Sequence, residues 1–218
     1  MKVLIIDNGS IYTKKIIKLV DMRHSYSVIT YDPKQSISDY GHDAIVLSGS
    51  FERNVEDRLD DGSLYFQREI DFINTAEKPM MGICLGHQMV NVAFGGTLTQ
   101  LDEKIELDEM ALRLEKSAVP IFGSPEIVVH ERHQWVVDTV PEQLSVMARS
   151  SHGVEMMQHD TRPVITTQFH PEYDTSEDSI FWDVFSATIR DDSYAYSERD
   201  DSCEIALGFS EGSLTPNM

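Results

Sequence analysis

The sequence contains few cysteines: Cys84 and Cys203 are the only two among 218 residues. Two thiols so far apart and in such different contexts do not make the disulfide framework of a small secreted protein. No apolar run approaches the roughly 20 residues that a membrane-spanning helix needs. The N-terminal run MKVLIID reaches Asp7 too early for a secretory signal. We therefore expect a protein of a reducing compartment, the cytoplasm.

Basic residues are also scarce. The chain has 18 lysines and arginines against 37 aspartates and glutamates, which gives a formal net charge of −19. A surface of this sign repels nucleic acid and anionic membranes. We therefore expect neither as a partner of this chain.

Motifs for metal ions and nucleotides are missing as well. The histidines lack the short, regular spacing of a zinc site; they include His24, His42, His130, His152 and His159. The sequence has no P-loop and no G-x-G-x-x-G motif after a predicted strand. We therefore expect no metal ion and no cofactor in this chain.

The first half of the chain alternates between two apolar patterns. The continuous runs KVLIID, DAIVL and PMMGI predict buried strands, and YTKKIIKLVDM, FQREIDFINTAE and LGHQMVNVAF have the spacing of amphipathic helices. Strands that are apolar on both faces and alternate with helices indicate a mostly parallel sheet covered on both sides. The predicted fold class is therefore α/β, with a doubly wound sheet.

After Gly96 the predicted segments become shorter and β-rich, including TLTQL, ALRLEKSAV, EIVVH, LSVMARS and VITTQFH. A last amphipathic helix is predicted over residues 177–189, so we expect a single domain over residues 1–189. Residues 190–218 contain seven acidic and two basic residues and little apolar periodicity. This composition is typical of a flexible, acidic C-terminal tail.

A nucleophile elbow is predicted at Cys84, where the strand PMMGI passes directly into a helix. Gly82 and Gly86 stand two residues before and two after Cys84, where a tight strand-to-helix turn requires small residues. The helix N-terminus favours the thiolate, and the N–H of Leu85 can face a developing oxyanion. An isolated cysteine would be interpreted as a buried structural residue, but this context indicates a catalytic one.

The segment ITTQFHPEY supplies the partners that a thiolate nucleophile needs. His170 and Glu172 follow a predicted strand, and Pro171 restricts the chain between them. An imidazole oriented by a carboxylate can act as the general acid and base of a catalytic triad. Alone, the triplet would be consistent with a surface histidine. It indicates catalysis only in combination with the nucleophile elbow predicted at Cys84.

The motifs GICLGHQ and FHPEY together resemble those of the class I glutamine amidotransferases, over residues 1–189. The resemblance implies a flavodoxin-like glutaminase fold and hydrolysis of L-glutamine to glutamate and ammonia. By this resemblance Cys84 is the nucleophile, His170 the general acid and base, and Glu172 the residue that orients His170.

The resemblance also implies the residues that surround the triad. The segment LSGS is similar to the family's L-S-G-G-P loop, which assigns the oxyanion hole to Gly49 and Ser50 together with Leu85. Ser50 and Phe51 replace the second glycine and the proline of that loop. The substrate-binding residues implied are Gln88, His133 and Gln134.

Within the family, the opening IIDNGSIYT is similar to the glutaminase subunits of archaeal-type GMP synthases. The segment HERHQW, which we expect to be a loop beside the pocket, aligns with their W-x-S-H-x-D motif. Trp135 then takes the place of an aspartate. This resemblance implies that ammonia passes to a separate ATP-pyrophosphatase synthetase that makes GMP from XMP. ATP and magnesium are expected only in that partner.

Other interpretations remain open. A stand-alone γ-glutamyl hydrolase or peptidase of the same fold would explain an altered pocket at Ser50, Phe51 and Trp135 beside an intact triad. The chain could also serve an anthranilate or aminodeoxychorismate type of amidotransferase. A catalytically silent module is the third interpretation, and the triad argues against it.

Overall fold

The computed structural model of the protein describes residues 1–189. Its strands are β1 Lys2–Asp7, β2 Ser25–Thr30, β3 Ala44–Leu47, β4 Met80–Ile83, β5 Thr97–Arg113, β6 Glu126–Thr139, β7 Leu144–Ser150, β8 Gly153–His159 and β9 Val164–Thr167. Its α-helices are α1 Thr13–Arg23, α2 Gln67–Thr75, α3 Leu85–Ala93, α4 Val119–Phe122 and α5 Ile180–Ile189, and a short 3₁₀ helix covers Pro171–Tyr173. The predicted tail and Cys203 lie outside the described residues.

Seven of these strands form one sheet in the order β2-β1-β3-β4-β9-β8-β7. The pairs from β2 to β9 are parallel, and β8 and β7 join them as antiparallel strands. Strands β5 and β6 pair with each other in a separate two-stranded sheet. The predicted α/β fold with a mostly parallel sheet and a β-rich second half is confirmed.

The sheet is covered on both faces, and β1 shows why its strands are apolar throughout. Val3 and Ile5 belong to a core cluster with residues of α1 and α5. Leu4 and Ile6 belong to a second cluster with residues of α2 and α3. Successive side chains of a strand point to opposite faces, so each face receives every second residue.

The second half differs from the prediction in the length of its strands. TLTQL and ALRLEKSAV were expected as separate segments, but residues 97–113 form the single strand β5, which ends before the rest of ALRLEKSAV. HERHQW was expected as a loop, and this was wrong because it lies inside β6. The pairing of β5 with β6 contains register shifts, which let exposed, charged residues remain within a continuous strand pair.

The carboxyl ends of β1, β3, β4 and β9 meet at one edge of the sheet, because these strands are parallel neighbours. The segments that follow these strands carry the predicted site residues, in the loop at positions 48–51, at the start of α3 at positions 84–88, and at positions 168–172. Within residues 1–189, no helix is long and apolar enough to span a membrane. Open parallel sheets commonly bind ligands at this edge.

Candidate active site

Cys84 lies between β4 and α3 in a strained backbone conformation, with φ at 52° and ψ at −99°. It is the one non-glycine residue with a positive φ in the described part of the chain. Such a conformation costs on the order of 1–3 kcal/mol and is common at active sites. The tight turn predicted from the sequence is therefore present.

Two glycines make the turn sterically possible. A Cβ atom on Gly82 would lie 2.8 Å from the carbonyl oxygen of Gly86. A Cβ on Gly86 would lie 2.7 Å from the carbonyl oxygen of Leu47. Because both contacts are with backbone atoms that cannot turn aside, any larger residue at either position would displace the elbow.

His170 and Glu172 form a buried pair beside Cys84. Nδ1 of His170 lies 2.8 Å from Oε1 of Glu172, and the Glu172 side chain is fully buried. A Cβ built on Gly49 would lie 3.3 Å from Cβ of Cys84 and 3.4 Å from Cε1 of His170, so the cysteine and the histidine face the same glycine. The structure thus brings the three predicted triad residues together.

The charge state of His170 follows from this arrangement. Burial alone would lower its pKa, but the charge of Glu172 and the hydrogen bonds with Cys84 and Glu172 outweigh that effect. The pKa of His170 is therefore held well above its usual value. An imidazolium beside Cys84 can donate the proton that a leaving group needs.

A cluster of aromatic side chains packs around His170. The ring of Tyr12 meets that of His170 edge to face at 4.9 Å, and the Tyr12 hydroxyl lies 3.0 Å from Nε2 of His130. His130 in turn stacks on Tyr173 at 3.7 Å. These contacts hold the imidazole ring of His170 in place. Sequence reasoning missed them because they join three segments distant in the chain.

The loop after β3 carries the predicted oxyanion residues. The backbone N–H of Asn8 donates to Oγ of Ser48, and this hydroxyl donates to the carbonyl oxygen of Gly49, each at 2.9 Å. The second bond fixes the peptide plane between Gly49 and Ser50 and hence the direction of the Ser50 N–H. Leu85 is the first residue of α3, where N–H groups have no partner within the helix.

Glu69 supports this loop from α2. Its Oε1 accepts a hydrogen bond of 3.0 Å from Nδ2 of Asn8, which also donates to the carbonyl oxygen of Ser48 at 3.3 Å. Burial raises the pKa of Glu69 to about 8, although the bond from Asn8 opposes the shift. The carboxyl group is therefore protonated at neutral pH.

A cavity of about 250 Å³ opens beside Cys84 and His170. Its walls include Ser50, Leu85 and the three predicted substrate-binding residues Gln88, His133 and Gln134, and Trp135 also lines it. It is smaller than the roughly 300–1,000 Å³ of sites for drug-sized ligands, which suits a small substrate.

The predicted substrate-binding residues make different contacts. Nε2 of Gln88 donates to the carbonyl oxygen of Trp135 at 2.7 Å and to Oε1 of Gln168 at 3.1 Å, so both of its N–H donors are engaged. Nε2 of Gln134 donates to the carbonyl oxygen of Leu101 at 3.2 Å. Gln88 therefore positions β6, and its substrate-binding role stays a prediction, as do those of His133 and Gln134.

A buried polar cluster lies next to this pocket and was not found from the sequence. It consists of Glu131, His133 and Glu155, each of which offers a metal-ligating atom within 4.8 Å of the others. Burial and the neighbouring Glu131 carboxyl raise the pKa of Glu155 to about 9. The signal was hidden because Glu155 belongs to β8, whereas the other two belong to β6.

Comparison with known proteins places these features in a family. The model of the family described as glutamine amidotransferase class-I matches residues 4–184. A protein of Methanopyrus kandleri named as one subunit of glutamine-hydrolyzing GMP synthase is 32% identical over 180 residues, which cover 80% of this chain and 91% of the relative. A Haemophilus influenzae protein named for anthranilate synthase component II is 28% identical over 179 residues, covering 79% of this chain and 88% of the relative.

Solved structures share the fold of this chain. A Thermoplasma acidophilum crystal structure, designated as that of a GMP synthase subunit, has a TM-score of 0.69 and 25% identity, and covers 86% of this chain and 94% of that one. A Thermotoga maritima glutamine amidotransferase has a TM-score of 0.64 and 18% identity, and covers 79% of this chain and 76% of that one. The family match spans the elbow and both other triad positions, so the chain belongs to the class-I glutamine amidotransferases.

Proposed function

We propose that this chain is the glutaminase subunit of a two-part amidotransferase, with Cys84, His170 and Glu172 as its catalytic triad. The observation that carries the proposal is the position of Cys84, on a strained turn beside the buried His170–Glu172 pair and at the wall of a small cavity. L-Glutamine is the substrate, and its side-chain amide is the group that reacts.

The geometry supports a thioester mechanism. The Cys84 thiolate attacks the amide carbon, and the negative charge that develops on the amide oxygen faces the N–H groups of Leu85 and Ser50. His170 donates a proton to the leaving nitrogen, which departs as ammonia. His170 then takes a proton from water, the resulting hydroxide attacks the thioester carbonyl carbon, the carbon–sulfur bond breaks, and glutamate leaves as the Cys84 thiolate beside the protonated His170 is restored.

We further propose that the ammonia is used by a separate ATP-pyrophosphatase synthetase, which converts XMP to GMP. Several relatives of similar length are named as subunits of GMP synthase, including that of Methanocaldococcus jannaschii, which is 30% identical over 178 residues. ATP and magnesium belong to the partner in this proposal, and this chain needs no cofactor for glutamine hydrolysis. Because one relative is named for anthranilate synthase, an amidotransferase of the anthranilate type is the alternative user of the ammonia.

A stand-alone γ-glutamyl hydrolase is the second candidate, and one observation favours it. Trp135 lines the cavity at the position where the resemblance to the glutaminase subunits of GMP synthases places an aspartate. A large indole in place of a carboxylate changes the shape and charge of the substrate site. A different γ-glutamyl amide would then be the preferred substrate.

The test combines the purified chain with a synthetase from the same organism that lacks a glutaminase domain of its own. Glutamate and GMP are measured with glutamine, ATP, magnesium and XMP present, and glutamate is measured again without the synthetase. We expect slow hydrolysis by the chain alone and faster hydrolysis with the partner, because an active site completed on docking does not waste glutamine. Fast hydrolysis that no synthetase alters, with a preference for other γ-glutamyl amides, would favour the stand-alone hydrolase.

The Cys84→Ala variant tests the mechanism independently of the partner. Its glutamate release should fall by about 10³-fold or more, by analogy with other triad deletions. A glutamine-like electrophile should label Cys84, and mass spectrometry that finds the label on Cys203 instead would contradict the assignment.

A further inference from the structure

The cluster of Glu131, His133 and Glu155 contains buried ligand atoms without hydrogen-bond partners. Glu131 and Glu155 are completely buried, and His133 is 4% exposed. Within the described residues, Oε1 of Glu131, Oε2 of Glu155 and both ring nitrogens of His133 have no hydrogen-bond partner, and the nearest charged contact of His133 is Oε2 of Glu131, 3.7 Å from its Nε2. Because a buried polar group without a hydrogen bond costs about 1–3 kcal/mol, several in one place indicate that something is bound between them.

We propose that Glu131, His133 and Glu155 bind a divalent transition-metal ion of the zinc type. Bonds of roughly 2.0–2.2 Å from zinc to nitrogen or oxygen place two ligand atoms of a tetrahedral site about 3.3–3.6 Å apart. The ligand atoms of the cluster lie within 4.8 Å of one another, so side-chain movements of up to about 1 Å complete the site.

The ligand types select the class of ion. Two carboxylates and one imidazole suit zinc and similar metals, whereas magnesium and calcium prefer oxygen ligands alone. Once the ion displaces the proton of Glu155, the two glutamates supply two negative charges that match a divalent cation. The fourth coordination position is left to water, as in other sites with three protein ligands.

Each carboxylate has a donor that orients its other oxygen. Oγ of Ser150 donates to Oε1 of Glu155 at 2.6 Å, which leaves Oε2 free. Nδ1 of His152 lies 3.1 Å from Oε2 of Glu131, which leaves Oε1 free. Such supporting hydrogen bonds are typical of metal sites, where they fix the ligands and raise affinity.

The ion would fasten β6 to β8 at the wall of the active-site pocket. Two of the ligands belong to β6 and the third to β8. β6 also carries the carbonyl oxygen of Arg132, which lies 3.9 Å from Sγ of Cys84, and the carbonyl oxygen of Trp135, which accepts from Gln88. We infer a structural ion that keeps this pocket wall in place.

The test measures metal binding by the purified full chain directly. After removal of weakly held ions by dialysis, elemental analysis should find one zinc ion per chain. A calorimetric titration of the metal-free protein with zinc should give the same stoichiometry. Zinc should also raise the melting temperature, because an ion that binds only the folded state stabilises it.

Variants locate the ion. Glu155→Gln and His133→Asn should bind zinc at least 10-fold more weakly, and Ser150→Ala should weaken binding by about 10- to 100-fold through loss of a supporting bond. Glu126→Gln, which removes an exposed carboxylate from the same strand, should bind like the wild type. Ser150→Ala keeps all three ligands and therefore serves if the ligand variants do not fold.

Three results would overturn the proposal. The first is zinc binding that Cys84→Ala abolishes and Glu155→Gln preserves, since the ion would then be held by the active-site thiolate. The second is retention of magnesium or calcium in preference to zinc. The third is no stoichiometric binding of any of these ions, together with a Glu155→Gln variant as stable as the wild type. That result would mean that the two carboxyl groups share a proton instead.

Discussion

The hydroxyl of Ser48 donates a hydrogen bond of 2.9 Å to the carbonyl oxygen of Gly49 and thereby sets the direction of the next N–H in the chain. Ser48 is fully buried, and its oxygen also accepts from the backbone N–H of Asn8. The end of β1 thus determines the shape of the loop that follows β3. In the proposed mechanism this loop supplies one of the two N–H groups that face the oxyanion.

Ser48→Ala should therefore lower kcat for glutamine hydrolysis by about 10-fold or more, with a smaller change in KM. Loss of one oxyanion donor costs roughly 10²–10³-fold, and a loop that is free to turn loses part of that contribution. Steady-state kinetics measure both constants. Ser145→Ala, which removes an exposed hydroxyl bonded to Asp160, is the control for loss of a serine. Unchanged kcat in a folded Ser48→Ala variant would mean that other contacts fix the peptide.

Glu172→Gln should shift the alkaline limb of the pH profile of kcat/KM to lower pH. The charge of Glu172 helps to hold the pKa of His170 above its usual value, so a neutral amide lets the imidazolium lose its proton at a lower pH. The rate should fall less than in His170→Ala, which should be nearly as inactive as Cys84→Ala. Glu177→Gln, on the same segment but exposed, should keep the wild-type profile. If the alkaline limb of kcat/KM does not shift in Glu172→Gln, the limb reports the titration of a group other than His170.

Trp135→Asp should change KM for glutamine more than kcat, because the indole lines the cavity and contributes to ground-state binding. Trp135→Phe keeps an apolar ring and should remain closer to the wild type. The carbonyl oxygen that accepts from Gln88 belongs to the backbone and is present in both variants. Equal kinetics for all three proteins would make Trp135 a packing residue without influence on the substrate.

Glu69→Gln should remove a pH dependence of stability. Burial raises the pKa of Glu69 from 4.5 to about 8 in the folded state, so the folded protein binds more protons than the unfolded one between these values. The contribution of Glu69 is therefore fully present below about pH 4.5 and is lost as the pH rises to about 8.

A glutamine resembles the protonated acid and can still accept from Asn8, so the variant should be more stable than the wild type above about pH 8. Urea unfolding across this range compares the two proteins. Glu56→Gln on the exposed loop is the matched control. Parallel stability curves for wild type and Glu69→Gln would show that Glu69 is ionised in the folded protein.

The sequence predicted those parts of the site that depend on short segments. The elbow follows from Gly82, Cys84 and Gly86 because a side chain on Gly82 would meet Gly86 within five residues of chain, although a side chain on Gly86 would meet Leu47 of β3. The His170–Glu172 pair is separated by one proline. The parallel sheet could be predicted because its buried strands are apolar on both faces.

Other parts depend on contacts between distant segments. The stack of His130 on Tyr173 and the meeting of Glu131 with Glu155 arise only when β6 packs against its neighbours. The continuity of β5 was missed because the charged residues between positions 102 and 109 resemble a turn, although they are exposed positions of a strand that pairs with β6. A pattern in one segment carries no information on the segment that packs against it.

The positive φ of Cys84 has a consequence for how such chains evolve. A glycine at this position would relieve the strain, so the fold and the reaction make opposite demands on one residue. Copies of the gene freed from selection for glutamine hydrolysis should drift toward glycine at position 84 and gain stability as they do. Retention of the cysteine across many diverged copies would then indicate a thiol that is still in use.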